Sequence, residues 1–100
     1  MSVLVTMRIE GDTEQFRRWV TTEEDFIRKI SDDARARGAI HHRFGVGEGF
    51  VLIIDEWESV DAFQQFFGSN PDIGRAMQEA GARSEPVFTF AEAIETADQF

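Results

Sequence analysis

Residues 50–67, FVLIIDEWESVDAFQQFF, change character twice. Phe50 to Ile54 is an unbroken apolar run, the pattern of a strand buried on both faces. Asp55, Glu56 and Trp57 follow. Ser59 then stands where a helix N-cap belongs, and Val60, Phe63, Phe66 and Phe67 repeat at helical spacing. The stretch is a strand running almost directly into a helix, and the other elements arrange around that joint.

Working outward, Ser2–Glu10 alternates Val3, Val5, Met7 and Ile9 against more polar neighbours, which predicts a first strand. Asp12 is placed to cap a helix, with Gln15 at the capping-box position. Phe16, Trp19 and Val20, then Ile27, Ile30 and Ala34, predict a helical region over about 13–37, kinked or restarted near Thr22. Thr22 with Asp25 is a second cap signal there. Arg35 and Arg37 complement the dipole of the last turn, and Gly38 stops it. Ala39–Phe44 reads as a second strand and Gly45 to Gly49 as a glycine-rich hairpin turn. A phosphate-cradling loop would need a helix to follow, and a strand follows instead. The helix that starts at Val60 should end at Gly68. Asn70-Pro71 opens another, stopped by Gly81, and Pro86–Ile94 is the last strand.

The order β-α-β-β-α(α)-β is the ferredoxin-like split βαβ arrangement, an α+β fold with a four-stranded antiparallel sheet and its helices on one face. One domain over 1–100 accounts for the chain. The other sheet face should then see water, yet Val51 to Ile54 is apolar on both sides and Leu4 lies opposite in sense to Val3 and Val5. A second copy, sheet against sheet, is the economical cover, so a homodimer is expected.

Composition narrows the partners. The formal net charge of −9 opposes binding to nucleic acid and to anionic membrane surfaces. No apolar run is long enough to cross a bilayer, and Met1 to Gly11 lacks signal-peptide features. The absence of cysteine fits a cytoplasmic setting and leaves no thiolate metal site. Adjacent strand histidines point to opposite faces, so His41 and His42 cannot share one ion, and no metal is expected.

Residues 54–63, IDEWESVDAF, resemble the strand-to-helix signature of the antibiotic-biosynthesis-monooxygenase-like group of dimeric α+β barrel proteins. The resemblance implies that fold and a ligand pocket between sheet and helices, with Trp57 lining it. The group includes cofactor-free monooxygenases, haem-degrading enzymes and proteins without known activity. Haem-degrading relatives carry a histidine near the position of Phe66 and an asparagine at that of Thr6. Haem degradation is therefore not expected, and no cofactor is.

If Gly45 faces Gly49, His42 pairs with Leu52 and His41 with Ile53. His42 then shares a face with Phe44, Leu52, Ile54 and Glu56, and His41 and Arg43 share the other with Asp55 and Trp57. A one-residue bulge would exchange the sets. His41 beside Asp55 has the form of a base oriented by a carboxylate, and an Arg43–Asp55 ion pair competes for the same acid. The expected pocket combines Phe16, Trp19, Phe63 and Phe67 with Trp57, one histidine and Asp55 or Glu56, around a cavity of roughly 300 Å3 or more. His41 or His42 would be the base and Arg43 the anion stabiliser. The residues describe a binder of a small, aromatic or hydrophobic molecule. If it is catalytic, cofactor-independent monooxygenation of a phenolic or polyketide-like substrate is the expected chemistry. A purely structural dimer is the competing reading.

Overall fold

A computed structural model describes residues 1–100. Its elements are β1 (Val3–Glu10), α1 (Thr13–Thr22), α2 (Glu24–Ala36), β2 (Ala39–Val46), β3 (Phe50–Trp57), α3 (Val60–Ser69), α4 (Pro71–Glu79) and β4 (Val87–Glu92). The four strands form one antiparallel sheet in the order β2-β3-β1-β4. This is the ferredoxin-like arrangement.

Local chemistry explains most of the element ends. Asp12 accepts from the backbone N–H of Gln15 and starts α1. Gln15 does not complete the capping box; its amide reaches across to the carbonyl of Glu79. Ser59 accepts from Ala62 N–H and starts α3 at once after β3. Asn70 accepts from Asp72 N–H, with Pro71 in the first helical position of α4. The long helical region restarts at Glu23, not by a Thr22 cap: the Thr22 hydroxyl donates back to the carbonyl of Arg18. Gly68 does not end α3, which runs one residue further.

The β2–β3 hairpin differs from the expected register. Val46 pairs with Val51, and Gly45 stays inside β2 opposite Leu52. The turn is three residues long, Gly47 to Gly49, closed by Gly47 N–H donating to the Phe50 carbonyl. Gly49 takes a left-handed φ of 81°, as the last residue of a three-residue hairpin turn does. The Phe50 ring lies where a side chain at Gly47 would project. These two contacts fix the register, and a bulge at Ile40 absorbs the mismatch at the other end.

One sheet face, bearing Val3, Val5, Met7, Ile9, Val51 and Trp57, is buried under the helices. The core divides into two clusters. One gathers Val3, Val5 and Trp57 with Phe63, Phe66 and Ile73. The other is Phe16, Trp19 and Val51. α2 buries no residue fully, yet it touches both clusters, Ile27 on the second and Ile30 and Ala34 on the first. Phe88 of β4 meets Phe63 and Phe67 edge-on, at 5.8 and 5.2 Å between ring centroids. The opposite sheet face leaves Ile54 and Val87 exposed at 49% and 65%. No helix is long and apolar enough to cross a membrane.

Two glycines should respond oppositely to alanine. Gly49→Ala forces an L-residue into the left-handed region and should cost about 1–2 kcal/mol. Gly74→Ala lies inside α4 with open space around it and should add up to about 1 kcal/mol. Urea unfolding midpoints read both.

Candidate functional site: a His-Asp-Trp chain beside a cavity

The three-residue turn carries His42 opposite Asp55. Both side chains therefore point toward the helices. His42 Nδ1 lies 2.7 Å from Asp55 Oδ1, and Trp57 Nε1 donates to Asp55 Oδ2 at 3.0 Å. A carboxylate only accepts, so the histidine nitrogen facing it carries the proton. Nε2 is directed away from the acid. Asp55 is buried, and the His42 side chain is 40% exposed. Phe44 braces the imidazole edge-on at 4.7 Å. The result is an imidazole held in one orientation.

Trp57 is 1% exposed. Its ring packs on Phe63 and Phe66 at 5.5 and 5.2 Å, which ties the end of β3 to α3. A cavity of about 190 Å3 opens beside this group. It lies between the sheet and the helical layer, and Asp55, His42, Trp57, Phe16 and Trp19 contribute to its wall. Phe63 and Phe67 also reach it. The volume is smaller than expected because Phe63, Phe66 and Trp57 pack into one another and fill the gap at the start of α3.

Three expected roles change with the register. His41 pairs with Glu56, not near Asp55; it is exposed, at the edge of the cavity mouth. Arg43 stands opposite Ile54 on the outer sheet face, outside the cavity, so it neither pairs with Asp55 nor reaches a ligand there. Glu56 shares that outer face and accepts from the Ser2 hydroxyl. For His41 and Arg43 the reason is the same: moving the turn slides β2 by an odd number of residues against β3, which inverts its faces, whereas Glu56 faces outward because it alternates with Asp55 along β3 itself.

Phe66 and Thr6 provide no haem chemistry. Phe66 is buried against Trp57, and Thr6 pairs with Ile54 on the outer face. No three histidine or carboxylate side chains converge as a metal site.

The sequence reading missed Phe44, Ser31 and Arg35 as parts of the cavity wall. A signal for the last two existed: Ile27, Ser31 and Arg35 form one i, i+4 row on α2. Trp19 has its Nε1 buried without a hydrogen-bond partner. It sits near Glu79, whose carboxylate accepts from Arg75 Nε at 2.8 Å. That bond holds Glu79 below the ordinary carboxylate range and raises Arg75, with the Trp19 N–H adding a smaller pull on Glu79.

No protein-family model matches the chain, and no curated protein matches it in sequence. Solved structures do match in fold. SnoaB, a cofactor-independent oxygenase from Streptomyces nogalater, superposes with a TM-score of 0.64 at 15% identity, over 98% of each chain. The ActVA-Orf6 monooxygenase of Streptomyces coelicolor, solved with nanaomycin D, gives 0.66 at 14% identity, over 99% of this chain and 93% of that one. A protein described as an antibiotic biosynthesis monooxygenase gives 0.64 at 14%, over 93% and 99%. The fold is antibiotic-biosynthesis-monooxygenase-like.

Two outcomes test the site's electrostatics. Asp55→Asn keeps an acceptor for the Trp57 N–H but turns an N–H toward His42, which must move its own proton to Nε2 to accept it, so both charge-assisted bonds become neutral ones. It should destabilise by about 1–3 kcal/mol, read by chemical denaturation. Glu79 has a depressed folded pKa, so its contribution to stability is present above the unfolded value and lost as pH falls through the folded one. A carbon-detected NMR titration should place Glu79 below an ordinary glutamate, and Arg75→Gln should return it.

Proposed function

We propose that this protein binds a small aromatic or hydrophobic molecule in the cavity between sheet and helices, and that His42, oriented by Asp55, takes a proton from it. The observation that carries this reading is the His42–Asp55–Trp57 chain in the cavity wall. A core with only a packing role has no use for an imidazole oriented by a buried carboxylate in the wall of a void, since interiors pack to crystal-like density.

Cofactor-independent oxygenation fits such a site. Deprotonation of a phenol or enol by His42 Nε2 gives an anion that hands one electron to dioxygen. Radical recombination and protonation form a hydroperoxide, and loss of water leaves a carbonyl. In balance, the reacting carbon, a methylene in the keto form of the substrate, loses two hydrogens and gains one oxygen atom. The second atom of dioxygen leaves with those hydrogens as water, so dioxygen is the oxidant. The protein supplies proton removal, an oriented acceptor and exclusion of water. A match in fold to a cofactor-independent oxygenase is consistent with this chemistry, although fold alone does not assign it.

The same reading includes a homodimer. Ile54, Val87 and Leu4 are exposed on one sheet face, and a second copy would bury them.

Oxygen uptake with one- and two-ring phenols tests the catalytic part. His42→Ala should lower turnover at least about 100-fold. Removing both histidines should cost no more than removing His42. Ligand-induced thermal stabilisation without oxygen uptake would leave a binding protein; neither effect, with any ligand tried, would overturn the reading. Light scattering should give twice the 11.4 kDa chain mass.

A further inference from the structure

The α2 helix turns one stripe toward the cavity: Ile27, Ile30, Ser31, Ala34 and Arg35, at i, i+3, i+4, i+7 and i+8. The apolar members pack on the two core clusters. Ser31 and Arg35 lie one turn apart on the same row and are polar. Arg35 is the single cation in the cavity wall.

Among the basic side chains of α2 it is the one without an ion pair. The chain has 19 acidic side chains against 10 Lys and Arg. Arg37, two positions on, binds Asp33 at 3.0 Å and Ser69 at 3.2 Å. On the same helix Arg28 pairs with Glu24 and Asp25, and Lys29 with Asp72. Arg35 makes no ion pair, although carboxylates are abundant. The wall also holds Glu10, Asp12 and Asp55, but an exposed guanidinium without an ion pair is suited to an anion that arrives with the ligand, and its planar fork matches a carboxylate with two parallel hydrogen bonds.

Size limits the ligand body. A dry cavity of about 150 Å3 accepts benzene, and this one is about 190 Å3. One or two rings fit within it, with the polar group toward the mouth.

We infer that Arg35 binds a carboxylate on the ligand, which makes the ligand a one- or two-ring aromatic acid. The inference rests on the ligand-binding reading above and names its substrate class. A hydroxy acid fits best, with its phenol toward His42 and its carboxylate toward Arg35. Arg35 is then a specificity residue for the cavity, a role that its place in the last turn of α2 does not require.

Isothermal titration with 1-hydroxy-2-naphthoate and with neutral 1-naphthol tests this directly. The intact protein should bind the acid at least tenfold more tightly than the naphthol. Arg35→Gln should weaken the acid about tenfold and leave the naphthol within twofold, Arg35→Lys should restore part of the loss, and Arg28→Gln should change neither. Equal affinity for the two probes would remove the Arg35 assignment and leave the cavity reading standing. So would an acid preference unchanged in Arg35→Gln, or an equal loss for both probes. Binding of neither probe would overturn the cavity reading and this inference together.

Discussion

The carboxylate of Asp55 sets the conditions for everything around it. A charge removed from water costs several kcal/mol unless the protein replaces the lost hydrogen bonds. Here two N–H groups do so, one from His42 across the sheet and one from Trp57 further along the same strand. Those two bonds constrain three elements. β2 must sit in the register that brings His42 opposite Asp55, Trp57 must turn its indole inward, and α3 must present Phe63 and Phe66 to the other side of that indole. The cavity is bounded by what this arrangement leaves unfilled. Polar chemistry, more than apolar burial, decides where the void lies.

Much of the fold is legible from local sequence because its signals are local. The cap at Ser59, the Asn70-Pro71 start and the apolar run of β3 each act within a few residues. The hairpin register is not local in this sense. Gly45, Gly47 and Gly49 are each acceptable in a turn, and sequence alone does not choose among them. The choice is made by the Phe50 ring over Gly47 and by the left-handed Gly49. That slide decides which histidine meets Asp55, so an ambiguity in a turn became an ambiguity in the site. Arg35 shows a second kind of difficulty. Its position in the last turn of α2 has a sufficient local explanation in the helix dipole, and only the packing of α2 over the sheet gives it a cavity to face.

The two sheet faces carry opposite chemistry. The inner one holds a polar chain inside an apolar wall. The outer one exposes apolar side chains on a protein whose surface is otherwise acidic, and there Arg8 stacks over Phe50 at 3.7 Å. Fold likeness to oxygenases leaves both faces free to vary, because chemistry resides in the particular side chains a fold presents. Here the inner face presents His42 and Asp55 to the cavity wall.

The division of the core into two clusters has a mechanical consequence. α2 and α4 both bridge the clusters, and α2 does so without one fully buried side chain. Atoms along the gap lack dispersion partners on one side. A molecule lodged there would act as mortar, supplying those partners and joining two loosely coupled blocks into one. Empty, the protein has two small cores sharing a sheet; filled, it would resist shear between them.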